Sequence, residues 1–356
     1  LELDAPAGEG EGEQEGTGHD RQDTPGPRGR RAREPDGDPT SRRGSVRGVQ
    51  RETHSLPGDG VNTHVYVWTP QPERPIRGLV QVLHGLAEHA GRYERFAAAL
   101  CEAGFAVVSH DHRGHGASVG SAEDLGFFAE KDGWNLVVRD SVRVREFARQ
   151  RFAGTPWVLF GHSMGSVVAM HDLASSGEPP TAAMLSGATG KVGALLRIGQ
   201  GLIRVELRRI GGRGRSKLLN ATAFGTYNRA FRPNRTEFDW LSRDEAEVDA
   251  YCADPLCGFL PTTSLWRDLV AAQAQLQTEA FLARLPKIPY RLIGGDRDPV
   301  GGKGQQVEAL VRMMRRAGLS VELHLWPGGR HEMLNEINRE EVMRDIVAWI
   351  EARVAG

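Results

Sequence analysis

At 356 residues, with 39% hydrophobic side chains, the chain is longer than one average domain and has enough apolar mass for a sizeable core. A net charge of −1 creates no field that would gather a polyanion, which argues against nucleic acid as a partner. Three cysteines, Cys101, Cys252 and Cys257, form no disulfide framework, and no run nears the ~20 apolar residues of a membrane helix.

Those thiols suit a reducing compartment, and the start lacks the basic and apolar regions of a signal peptide, so a cytoplasmic location is expected. Cys252 and Cys257, without histidines near them in the sequence, make a poor zinc site, and buried free thiols are expected instead. The stretch 1–48 has almost nothing to bury. Gly, Pro, Glu and Asp dominate up to Asp23, then arginines take over from Arg28 to Arg47. Such a segment cannot offset its ordering entropy and reads as a disordered, solvated tail, with order beginning near Val49.

Beyond the tail, 49–55 and 62–69 read as two strands around the turn Leu56-Pro57-Gly58-Asp59-Gly60. The nearly continuous apolar run 78–83 suits a strand buried on both faces. A helix is predicted over 93–102, ending at Gly104, then a strand over 105–109 and an amphipathic helix over 134–152. After a strand leading into Ser163 and a helix beyond it, further strands follow at 182–186, 290–293 and 321–326, with helices at 305–317 and 339–353. Alternating strands and helices predict an α/β fold with a doubly wound, mostly parallel sheet. It is divided into a first part at 49–186 and a second at 286–356. The intervening 187–285 far exceeds the ~2–6 residues of an ordinary strand-to-helix connection. Its helical, partly apolar pattern is expected to make a cap, or lid, over the strand ends where ligands bind in such sheets.

Chemistry concentrates at Phe160-Gly161-His162-Ser163-Met164-Gly165-Ser166, which has the form G-x-S-x-G between an apolar run and a helix. This is the strand, sharp turn and helix that a nucleophile elbow requires, with glycines where side chains would collide with neighbouring backbone. A serine hydroxyl needs a base held by a third group. The chain carries twelve histidines, but only His324 and His331 lie beyond both Ser163 and the insertion. His324 sits mid-strand, whereas His331 follows Pro327-Gly328-Gly329-Arg330 in a loop, so His331 is the candidate base. For the acid, Asp296 and Asp298 both stand at the end of the 290–293 strand. Asp298, held extended by Pro299, is the choice, and Asp296 reads as a turn residue. Two backbone N–H groups must meet the developing oxyanion. Met164 follows the nucleophile and Leu86 lies in the loop after an early strand. In that loop His84, next to Gly85, reads as a brace.

The motifs His84-Gly85-Leu86-Ala87-Glu88-His89, Gly91-Arg92-Tyr93, Asp111-His112-Arg113-Gly114-His115-Gly116-Ala117-Ser118 and Gly161-His162-Ser163-Met164-Gly165 together resemble the monoacylglycerol lipase and lysophospholipase branch of the α/β-hydrolases, which carries a serine aminopeptidase-like hydrolase domain. The resemblance runs from about Val49 to Val354 and implies Ser163 as nucleophile, Asp298 as acid, His331 as base and Leu86 with Met164 as oxyanion donors. Asp111 and His115 match a motif that shapes the floor of the site. The implied activity is hydrolysis of single-acyl-chain lipid esters through an acyl-enzyme, without cofactor or metal, with transient contact between the cap and a membrane surface. Alternatives left open are a peptidase, amidase or short-chain esterase on the same residues, or a catalytically silent binding protein on this fold. A peptidase would need an acidic pair for the substrate amine, and none stands out in the cap.

Overall fold

The computed structural model describes residues 42–46, 49–175, 177–190 and 193–355. In chain order these form β1 (Arg42–Val46), β2 (Val49–Leu56), β3 (Thr63–Thr69), β4 (Gly78–Leu83), α1 (Glu94–Glu102), β5 (Phe105–His110), α2 (Gly133–Arg151), β6 (Trp157–His162), α3 (Met164–Ala174) and β7 (Ala182–Ser186). Then come α4 (Ala194–Ile210), α5 (Lys217–Ala223), α6 (Glu245–Ala253), α7 (Thr263–Gln275) and α8 (Glu279–Leu282). The chain closes with β8 (Pro289–Gly295), α9 (Gln305–Arg316), β9 (Ser320–Trp326) and α10 (Arg339–Val354).

The strands form one nine-stranded sheet in the order β1-β2-β3-β5-β4-β6-β7-β8-β9. Pairings β1–β2, β2–β3 and β3–β5 are antiparallel, and those from β5 through β9 are parallel. Every residue of β4, β5, β6 and β7 is buried, as continuous apolar runs in a sheet covered on both faces require. Alternation then assigns each side chain to a layer. Leu79, Leu83, Ala106, Val108, Trp157 and Leu159 face one side with α2, α3 and α9. Val80, Val82, Phe105, Val107, Val158 and Phe160 face the other with α1 and α10. On α9 the buried positions Val307, Leu310, Val311 and Met314 follow the helical repeat and form the stripe turned to the sheet.

Two expectations are corrected. Arg42–Val46 lies within the stretch read as tail, yet it is a strand paired antiparallel with β2, Val46 opposite Val49. An edge strand needs only its backbone ladder, so composition did not announce it; the rest of that stretch lies outside the described residues. Of the three free thiols, Cys101 and Cys257 are buried but Cys252 is exposed. Helix α6 buries Val248 and Tyr251, and Cys252, although four residues after Val248 on the same side, lies in the last turn and stays exposed.

Between β7 and β8 the chain builds two small clusters of its own. One holds Trp240, Leu241, Tyr251 and Cys257 against Val300; the other joins Ile203, Leu219 and Trp266. Helices α7 and α8 bury Leu265, Ala272, Phe281 and Leu282 in the same core as α2 and α3, which anchors this region to the sheet.

Candidate active site

Strand β6 delivers Ser163 to the turn before α3, where its backbone adopts φ 52° and ψ −118°. A non-glycine residue in such a region stores roughly 1–3 kcal/mol of strain, held only because its surroundings over-determine it. Ser163 N–H donates to Ser186 O at 2.8 Å, and Ser166 N–H returns to Ser163 O at 2.9 Å. The flanking glycines leave no room. A Cβ on Gly161 would meet Gly165 O at 2.4 Å, and one on Gly165 would meet Leu83 O at 2.1 Å. The elbow therefore packs directly on the end of β4, the strand that feeds the loop carrying Leu86.

His331 and Asp298 are both buried, and His331 Nδ1 lies 3.0 Å from Asp298 Oδ2. Asp298 Oδ1 accepts the Val300 N–H at 2.8 Å, which fixes the carboxylate plane. With Nδ1–H directed at Asp298, the lone pair of Nε2 is the one left for a proton. Burial works against a charged His331, but the Asp298 carboxylate, backed by Glu332 and Glu88, outweighs it and raises the pKa above 6.5. Asp296 accepts the Gly328 N–H at 2.8 Å, serving the backbone of the facing loop rather than its own, and does not hold His331. His324 stacks on Trp326 with ring centroids 4.2 Å apart and meets Arg291 at 3.0 Å, within the sheet edge.

Ser163 and His331 line a common pocket of about 40 Å³ with Gly85, Leu86, Phe238 and Tyr251. Ser163 and Leu86 also border, with Met164, a second cavity of about 800 Å³. Its walls include Leu202, Ile203, Leu219, Phe224, Trp266 and Val300, from the region between β7 and β8 and the loop after β8. The structure thus brings Ser163, Leu86 and Met164 to one cavity, and Asp298 to His331 beside it. His84 does brace its loop, with Nδ1 2.7 Å from Gly85 O and Nε2 accepting the His112 N–H at 2.9 Å.

Other residues of the site have partners that the sequence does not reveal. His162 is buried against His331, ring centroids 4.8 Å apart, and burial followed by the neighbouring His331 presses its pKa down to about 3. Gly187, at φ +57°, leaves space for both rings, since a Cβ there would lie 2.9 Å from His331 Cε1 and 3.0 Å from His162 Cε1. Glu88 and Glu332, both buried, form an ion cluster with the largely covered Arg92 beside the pocket. Glu88 and Arg92 sit inside two of the family motifs, but nothing in the sequence tells what they meet.

Among the described residues, one trio could hold a metal: His89, Asp254 and Cys257, with ligand atoms within 4.8 Å of one another. A histidine is therefore close to Cys257 in space, contrary to its isolation in sequence. Yet His89 Nδ1 accepts the Gly91 N–H at 3.2 Å while Nε2 lies 2.9 Å from Asp254 Oδ2. That tautomer spends the Nε2 proton on Asp254, so the pair is a hydrogen bond between the loop after β4 and the region between β7 and β8, and a poor metal ligand.

A family model described as serine aminopeptidase, S33, matches residues 74–338. The chain is similar to the monoacylglycerol lipase of Mycolicibacterium smegmatis, 33% identical over 308 residues covering 84% of this chain and 97% of that one. It is also similar to the monoglyceride lipase of Mus musculus, 27% identical over 85% of this chain and 91% of that one. Among solved structures, a thermostable carboxyl esterase from Bacillus coagulans in complex with glycerol superposes with a TM-score of 0.79 at 27% identity, covering 85% of this chain and 99% of that one. With its sheet, its elbow and these relatives, the chain belongs to the serine aminopeptidase S33 family of α/β-hydrolases, in the monoacylglycerol lipase branch, and is a hydrolase.

Proposed function

We propose that the protein hydrolyses carboxylic esters of lipids with a single acyl chain, monoacylglycerols or lysophospholipids, through an acyl-enzyme on Ser163. The observation that carries this reading is the roughly 800 Å³ cavity that opens on Ser163 and is walled mainly by hydrocarbon and aromatic side chains. Ser163 Oγ attacks the ester carbonyl as His331 Nε2 takes its proton, and Asp298 steadies the imidazolium. The N–H groups of Leu86 and Met164 receive the oxyanion, helped by the positive end of α3. The alcohol departs with the proton from His331, and water, activated by the same imidazole, releases the fatty acid. The chain itself supplies nucleophile, base and oxyanion donors, so no cofactor is needed.

The cap is read as an acyl-binding lid. Its exposed Ile198 and Val205 on α4 and Leu218 on α5, next to exposed Arg204 and Arg208, suit a transient approach to a lipid surface. No helix among the described residues is long and apolar enough to cross a membrane, and the three free thiols suit a cytoplasmic location. The aminopeptidase reading suggested by the family description is weakened by the site. Glu88 and Glu332 are acidic groups at the pocket, but Arg92 already neutralises them in part and occupies their oxygens.

The test is hydrolysis of a chain-length series of monoacylglycerols, with lysophosphatidylcholines, short p-nitrophenyl esters and an amino-acid amide, by wild type and Ser163→Ala. The reading expects long single-chain esters to be preferred and Ser163→Ala to lose about 10⁴-fold or more in kcat. Near-wild-type turnover by Ser163→Ala, or a preference for the amide, would sink it.

A further inference from the structure

Three charged residues, Glu88 and Arg92 within the family motifs and Glu332 beside the candidate base, have no part in the reaction as written above. Glu88 lies two residues past Leu86 in one catalytic loop, and Glu332 directly follows His331 in the other. Arg92 stands between them. Its Nη1 donates to Glu88 Oε2 at 2.5 Å and to Glu332 Oε1 at 2.8 Å, and its Nη2 donates to Glu332 Oε2 at 2.7 Å. Both glutamates are buried.

The far ends of the cluster are tied to what must be positioned. Glu88 Oε1 accepts the Gly85 N–H at 2.5 Å, one residue before Leu86, and the Tyr93 hydroxyl at 2.9 Å. A Cβ on Gly85 would meet that oxygen at 2.7 Å, so the close approach demands glycine. Asn335 Nδ2 donates to Glu332 Oε2 at 2.8 Å. The Arg92 guanidinium lies 4.8 Å over the Tyr251 ring, and the Tyr251 hydroxyl donates to Ala87 O at 2.8 Å. The two loops thus share one planar fork as their common partner, although Glu332 lies 240 positions beyond Arg92 in the chain.

We infer that Arg92 is a positioning residue: clamped between Glu88 and Glu332, it fixes the separation of the Leu86 oxyanion donor from the His331 base. A guanidinium serves here because its planar fork bonds one carboxylate bidentately and reaches a second from the same side, which an ammonium cannot do. The cluster is also one negative charge in excess when both carboxylates are ionised, and both glutamates favour the charged form of His331. Both consequences fall on the chemical step rather than on acyl-chain binding. The inference rests on the reading of Ser163, Leu86 and His331 given above.

The experiment measures kcat and KM on a long-chain monoacylglycerol, the rate of Ser163 labelling by a fluorophosphonate probe, and the melting temperature. The variants are Arg92→Lys, Glu332→Gln and the uncharged triple Glu88→Gln/Arg92→Met/Glu332→Gln. Misplacement of a catalytic group by about an ångström is expected to lower kcat and the labelling rate roughly ten- to hundredfold in Arg92→Lys, with KM within about threefold. The triple variant, which leaves no buried unpaired charge, is expected to recover the melting temperature lost in Arg92→Lys but not kcat. Recovery of kcat along with the melting temperature, or an Arg92→Lys enzyme with wild-type kcat, would make the cluster merely structural and overturn the inference. A wild type that the probe fails to label would instead overturn the Ser163 reading, and this inference with it.

Discussion

The two sides of Ser163 are made of different materials. On the Arg92 side nearly every polar atom has an assigned partner, with Gly85, Glu88, Arg92, Tyr93, Glu332 and Asn335 joined by hydrogen bonds of 2.5 to 2.9 Å. On the cap side the walls are hydrocarbon and aromatic rings, and α4 carries Ile198 and Val205 exposed to solvent. Directional bonds in a low-dielectric interior hold groups to tenths of an ångström, whereas apolar contact specifies little beyond volume. Chemistry at an ester carbonyl needs the first kind of control, and a flexible acyl chain needs only the second. The same contrast appears in titratable groups. The stretch 187–285 contains no histidine, while His84, His110, His112, His115 and His162 are buried around the elbow and the loops beside it.

Breaking the polar side at its most directional bond is expected to have the largest effect. Asp298→Asn removes the acceptor that fixes the His331 tautomer, and kcat should fall about 10³–10⁴-fold with the melting temperature little changed. Steady-state kinetics beside a thermal melt checks this, and a loss below tenfold would mean that another group orients His331. A change of volume on the apolar side should act selectively. Ala223→Trp places an indole in the large cavity, and turnover of long-chain monoacylglycerols should drop roughly 10–10²-fold while short p-nitrophenyl esters stay within about threefold. Equal losses on both substrates would show that the cavity does not receive the acyl chain.

A change of pH sharpens the contrast in a different readout, stability. Burial lowers the pKa of His110 to about 3 and of His115 to about 4, and burial with smaller contributions does the same for His162, to about 3, and His171, to about 4. Unfolded, these rings take up protons as the pH falls below 6.5, whereas the folded chain does not. Stability therefore declines as pH falls from about 6.5 toward 4, by as much as about 1.4 kcal/mol per pH unit for each such ring. The raised pKa of His331 acts in the opposite direction, but for one group. The melting temperature should be lower at pH 5 than at pH 7 by on the order of 10 °C. An unchanged value would mean that the rings are solvated.

Much of this was legible in the sequence. The parallel core announced itself in the apolar runs at β4, β5 and β6, and the elbow in two glycines whose neighbours leave no room for a Cβ. Chain order separated His331 from His324. Choosing Asp298 over Asp296 required reading a proline, and the structure gives Asp296 a different hydrogen bond, to Gly328. What stayed hidden depends on long-range partnership. Arg92 looks like an ordinary helix-leading arginine until Glu332 arrives from the far end of the chain, and Gly187 looks like a loop residue until two imidazoles close over it. The exposure of Cys252 escapes the sequence because it stands four residues from buried Val248 and beside buried Tyr251, where helical periodicity alone would have covered it. The first strand escapes for a different reason, since backbone pairing at a sheet edge asks almost nothing of side-chain chemistry.

That strand has a consequence for how the molecule keeps to itself. β2 has β3 on one side, and on the other it would present a row of free amide and carbonyl groups if Arg42–Val46 did not occupy them. A row of that kind is a template on which a second molecule can add a strand of its own. The segment that completes the row is itself only five residues long, and so short an edge offers little for another strand to pair with. A piece of chain that composition files with the tail thus serves as a selvedge, finishing the sheet so that it does not fray into its neighbours. Trimming the protein back to Val49 would move the border to a strand that was not made to be one.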